Sequence, residues 1–155
     1  MWIAGRAQRE GEETYERGLR ESAKAVGVSA RVQFLGERRD VPALMRAADV
    51  HCQPNTGPEP FGLAFVEALY AGLPVVTTAI GGACEIVTDD CGILVPRGDA
   101  RALEEALRRL VTDGAARRRL GSSGPARASA LCDPARQLDA LASIAAGMPA
   151  RPVTK

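Results

Sequence analysis

The 155 residues are enough for one domain with a single core, and a net charge of +1 builds no field that would gather nucleic acid or an anionic membrane. The four cysteines, Cys52, Cys84, Cys91 and Cys132, form no CxxC pair and have only His51 nearby, which excludes a zinc site and a thioredoxin-like motif and leaves reduced, mostly buried thiols as the expectation. No apolar run approaches membrane-spanning length and no signal peptide opens the chain, so the expected compartment is cytoplasmic.

Trp2-Ile-Ala-Gly5 reads as a short strand ending in a turn. From Glu10 to Val26 the residues Tyr15, Leu19, Ala23 and Val26 keep helical spacing, with Glu10, Glu12 and Glu13 early, Lys24 late and Gly27 as the cap. Arg31 to Gly36 is the next strand, and Asp40 is placed to N-cap a short helix carrying Leu44 and Met45. Asp49 to Gln53 is a third strand. It runs directly into Pro54-Asn-Thr-Gly-Pro-Glu-Pro60, a loop whose composition disfavours helix.

Helix is expected from about Phe61 to Gly72, with Pro74 just beyond, and then a buried strand Pro74 to Thr78. A glycine turn at Gly81-Gly82 leads to a short helix, and Cys91 to Pro96 forms the last strand. Asp99 caps a helix with Leu103, Leu107, Leu110 and Val111 on one face. Residues 115–120 form an Arg-rich helical piece that Gly121-Ser-Ser-Gly-Pro125 breaks, and a final helix covers about Pro134 to Ala146. The expectation is a Rossmann-like domain over 1–147 and a frayed tail over 148–155. Strands alternating with helices imply an α/β, doubly wound parallel sheet, with ligands outside the carboxyl ends of its strands.

The stretch around Glu59 and Glu67 carries the chemistry. Phe65 and Leu69 share one face of the expected helix, while Leu63, Ala64, Glu67 and Ala71 lie roughly opposite. Glu67 stands about 9 Å along the axis from Phe61 at 1.5 Å per residue. The two carboxylates bracket a helix N-terminus whose open N–H groups, from Phe61 to Leu63, form a seat for phosphate. A nucleoside diphosphate sugar fits, with sugar near Glu59, diphosphate over the helix end and ribose diol against Glu67. Spacing alone leaves a turn residue and a solvated helix residue as the simpler reading.

The full string, with E-x7-E enclosing Phe61-Gly62-Leu63 and with Ala71-Gly-Leu-Pro-Val-Val76 after it, resembles the donor-site signature of family 4 (group 1) glycosyltransferases. The resemblance runs from about Trp2 to Ala146 and corresponds to part of the C-terminal, donor-binding domain of a GT-B fold. It implies a retaining, metal-independent enzyme with no cofactor beyond its nucleoside diphosphate sugar. Glu59 and the backbone of Phe61, Gly62 and Leu63 would hold sugar and phosphate, and Glu67 the ribose. The loop Glu37-Arg-Arg-Asp40 would lie beside the base, with Arg38 helping to hold it.

The same resemblance implies an Arg and a Lys in a strand–loop–helix preceding Trp2, and an N-terminal acceptor domain. The sequence contains neither, so the domain is expected to lack its first strand–helix unit and to be inactive alone. A non-catalytic nucleotide-sugar module and an epimerase of the same architecture are the alternatives. A sugar phosphorylase would need a suitably placed lysine, which neither Lys24 nor Lys155 provides. The absence of GxGxxG after Gly5 excludes a dinucleotide oxidoreductase, and no P-loop is present. His51 is expected to be structural, Gly81 and Gly82 to permit close backbone approach, Glu85 to be structural, and Arg117 to Arg119 to form a solvated face.

Overall fold

The computed structural model describes residues 1–8 and 10–147; the tail expected over 148–155 lies outside the described residues. The contacts fall into two units, Met1–Val41 and Pro42 onward.

In the first unit, β1 (Trp2–Ala4) pairs in parallel with β2 (Gln33–Gly36), Ile3 lying beside Phe34. The connecting helix α1 (Glu12–Ala25) has Glu12 and Glu13 in its first turn and Lys24 in its last, matching the helix dipole. It ends as expected at Gly27, whose φ of 73° only glycine adopts readily. Here the N–H groups of Gly27 and Val28 donate to Lys24 and Ala23 carbonyls at 3.0 and 2.9 Å. The Arg20 guanidinium lies 3.9 Å over the Phe34 ring and also binds Glu16. None of the described residues of this unit is fully buried.

Helix α2 (Val41–Ala47) has its first residue in the first unit and the rest in the second. Asp40 precedes it as expected, but its carboxylate accepts two bonds from Arg38, at 2.8 and 2.6 Å, rather than capping the helix. Strands β3 (His51–Gln53), β4 (Val75–Thr78) and β5 (Gly92–Val95) then form a parallel sheet with β4 in the middle. All four residues of β4 are buried. Because side chains alternate along a strand, Val75 joins Phe65, Leu69 and Ile86 in one apolar cluster while Val76 joins Leu110 and Leu120 in another. The first cluster is built by α3 (Leu63–Tyr70) and α4 (Ala83–Ile86), the second by α5 (Ala100–Thr112). Helix α6 (Gly114–Leu131) supplies residues to both.

Three expectations are corrected in this unit. Helix α6 runs unbroken through Gly121-Ser-Ser-Gly-Pro125. A Cβ on Gly121 would run into the carbonyl oxygen of Gly72, and one on Gly124 would lie 2.6 Å from that of Leu69. These glycines therefore let α6 lie against the end of α3, and that packing carries the helix past a proline that would otherwise break it. Val111 sits at the margin of the α5 stripe and is exposed, while Ala106 takes its place in the core. Cys52 and Cys84 are exposed; only Cys91 is fully buried. The last helix, α7 (Pro134–Gly147), matches its expected span and has no buried residue.

Candidate donor site

The chain leaves β3 at Gln53 and enters a loop that β4 holds by hydrogen bonds. Thr77 Oγ1 donates to the Gln53 carbonyl at 2.8 Å, and Thr78 Oγ1 donates to the Asn55 carbonyl at 2.7 Å. Both threonines are buried, and the bonds satisfy hydroxyls that would be costly to leave unpaired there. A Thr-Thr pair closing a buried strand was the available signal for this tie.

Glu59 is half-buried. Its backbone forms a parallel bridge with Gly81, and its carbonyl accepts the Gly82 N–H at 2.8 Å. A Cβ on Gly81 would stand 2.7 Å from the Glu59 oxygen, and one on Gly82 would stand 2.5 Å from the Phe61 oxygen. The close approach expected of these glycines is thus made by the loop carrying Glu59, backbone against backbone.

Helix α3 begins at Leu63, two residues later than expected. Gly62 stands at the N-cap with a left-handed φ of 96°, and the space a Cβ would need there is filled by the Phe65 ring and the Cγ of Glu59. The later start shortens the bracket: Glu67 lies four residues into the helix, roughly 6 Å along its axis. Among the described residues, nothing accepts from the N–H groups of Phe61, Gly62, Leu63 or Ala64. Glu67 is exposed on the face away from Phe65 and Leu69, with the exposed Leu63 and Tyr70 before and after it. The end of the helix, at Gly72 with Pro74 beyond, is as expected, the Leu73 N–H reaching the Ala68 carbonyl at 3.0 Å.

Arg38 belongs to the first unit, where its Nε and Nη2 donate to the two carboxylate oxygens of Asp40. The pair lowers the Asp40 pKa and raises that of Arg38. Arg6, also in that unit, pairs with Glu37 at 2.8 Å. His51 packs edge-on against Phe65, centroids 6.1 Å apart, and its buried Nε2 has no partner among the described residues. Burial pushes its pKa below the ordinary value, partly offset by a hydrogen bond with Gln53, so the ring is neutral.

Two arginines hold helix ends. Arg117, expected on a solvated face, is partly buried and caps α5, donating to the Leu110 and Val111 carbonyls at 2.6 and 2.9 Å. Arg127, unremarked in the sequence, donates to the carbonyls of Ile86 and Glu85 at the end of α4. No motif marks either residue, since each partner is a backbone oxygen.

Comparison with known proteins decides the family. The profile of the family described as glycosyl transferases group 1 matches residues 1–127. The chain belongs to this family. The phosphatidyl-myo-inositol mannosyltransferase of Mycobacterium leprae is 40% identical over 105 residues, 66% of this chain and 28% of its own. The D-inositol 3-phosphate glycosyltransferase of Salinispora tropica is 42% identical over 112 residues, 70% of this chain and 23% of its own. The chain thus spans about a quarter of the length of these relatives. The crystal structure of Anabaena Alr3699/HepE in complex with UDP and glucose superposes with a TM-score of 0.86 at 32% identity, covering 95% of this chain and 40% of that one. The mixed α/β fold with parallel sheets is accordingly that of GT-B glycosyltransferase domains. Among the described residues, no helix is long and apolar enough to cross a membrane.

Proposed function

We propose that this chain is the donor-binding part of a retaining glycosyltransferase that uses a nucleoside diphosphate sugar and needs no metal or other cofactor. Glu59 hydrogen-bonds the transferring sugar. The N–H groups of Phe61, Gly62 and Leu63 hold sugar and phosphate, and Glu67 grips the ribose diol. One observation carries the reading: a helix start with unpaired N–H groups, flanked by a backbone-pinned Glu59 and an exposed Glu67. Such a start binds anions through its N–H groups and the positive end of its dipole. The relative solved with UDP and glucose supports the ligand class.

In transfer, negative charge grows on the leaving diphosphate, and stabilising it is the main electrostatic task. The α3 end supplies only part of this, since a helix terminus contributes about 0.3–1 kcal/mol, up to about 2 in favourable sites. Arg6 and Arg38 already face Glu37 and Asp40, which blunts their charge. The chain by itself therefore binds donor weakly and transfers nothing; turnover takes a partner domain that brings the acceptor and further positive charge.

Calorimetric titration with UDP and UDP-glucose tests the site. Glu67→Ala weakens both ligands at least about tenfold, or 1.4 kcal/mol. Glu59→Ala weakens UDP-glucose and leaves UDP nearly unaffected. Unchanged affinity in Glu67→Ala, or equal losses for both ligands in both variants, removes the assignment.

A further inference from the structure

We infer that Arg127 is a positioning residue for Glu59, acting through α4 as a strut; this rests on the donor-site reading above. Helix α4 is a single turn, Ala83–Ile86. One turn orders several residues for few hydrogen bonds and has little stability of its own. Its carbonyls at the C-terminal end find no partner within the helix. Arg127, 41 positions away from Ile86 in sequence, supplies one: Nε donates to the Ile86 carbonyl at 3.0 Å, and Nη2 donates to that of Glu85.

The other end of the strut meets the site. Gly82, the residue before α4, donates its N–H to the Glu59 carbonyl at 2.8 Å, and Gly81 bridges the same residue. Two backbone groups therefore fix Glu59, and both belong to the turn whose far end Arg127 holds. Glu67 stands on α3 and is not part of this connection. Loosening α4 should thus cost affinity for the sugar and spare affinity for the nucleotide. The planar guanidinium suits the task because it reaches two adjacent carbonyls at once, whereas a lysine ammonium can hold one well.

The competing account is that Ala83 and Ile86, both buried, anchor α4 without help. Amide exchange and ligand titration on the full chain separate the two accounts, comparing wild type with Arg127→Met, which keeps an apolar stem, and Arg127→Lys. The expected result for Arg127→Met is about tenfold faster exchange at the Gly82 amide, the scale of a lost charged hydrogen bond, with β4 amides at wild-type rates. UDP-glucose affinity falls about tenfold, UDP affinity changes less than about twofold, and Arg127→Lys lies between. Unchanged Gly82 exchange, β4 exchange rising in step, or equal weakening of both ligands overturns the inference. Wild-type chain that binds neither ligand defeats the donor reading instead, and the Gly82 exchange alone then upholds or overturns the strut.

Discussion

The two units of this chain carry the same kind of sequence pattern and reach different degrees of burial. In Met1–Val41 the helix α1 and the strands β1 and β2 form as their spacing requires, yet of the expected stripe only Leu19 and Ala23 are half-buried, Tyr15 and Val26 are exposed, and none of the described residues is fully buried. From Pro42 onward, β4 is covered on both faces and every one of its residues is inside. Amphipathic periodicity thus decides which face an element offers, while burial depends on how many layers cover it. The loop and helix start of the candidate site belong to the second kind of region. The loop is tied to β4 through Thr77 and Thr78 and to the turn before α4 through the Gly82 N–H.

Four substitutions sharpen this contrast. The largest effect is expected where helix meets helix backbone: Gly121→Val drives a branched side chain into the Gly72 carbonyl and should unfold the second unit or cost about 3 kcal/mol or more in chemical denaturation. A loss below about 1 kcal/mol would mean that α6 and α3 are not held at the distance described.

Next comes a matched pair. Leu69→Ala, at 0% exposure, should cost about 2–5 kcal/mol, whereas Leu19→Ala at a half-buried position of α1 should cost less than half as much. Equal losses would show that Met1–Val41 has a tighter core than its burial indicates.

The smallest effect concerns pH. Burial lowers the His51 pKa in the folded state, so the unfolded chain binds its proton first. Stability is then full above the ordinary histidine value of about 6.5 and declines as pH falls below it. Between pH 7.5 and 5, above the range in which the carboxylates protonate, wild type should lose more in melting temperature than His51→Phe. Parallel profiles would remove the histidine as the cause.

Most of the site was legible because it is written in local terms. Glu59 in a Pro- and Gly-containing loop, Glu67 opposite Phe65 and Leu69, and the stop at Gly72 all follow from turn chemistry and helical spacing. The two-residue error at the start of α3 is local: Gly62 takes a left-handed φ, and the Phe65 ring and the Glu59 side chain, each three residues away, fill the space a Cβ would need. Arg38 was read as helping to hold the base, with a solvated charge cluster as the alternative, and only the structure shows it paired with Asp40 two residues on.

By itself, the sequence determined the order and approximate bounds of most elements, the buried face of α3, and that two carboxylates bracket a helix entrance. These depend on backbone dihedrals and periodicity, which each residue and its near neighbours set. The tertiary structure alone decided whether Gly121-Ser-Ser-Gly-Pro125 breaks a helix or lets one lie against α3, since a glycine serves a turn and a close approach equally well. It also decided that Arg117 and Arg127 hold the ends of α5 and α4. An arginine donating to a backbone carbonyl can be matched by any residue, so its partner leaves no mark in the sequence; packing brings that oxygen within reach.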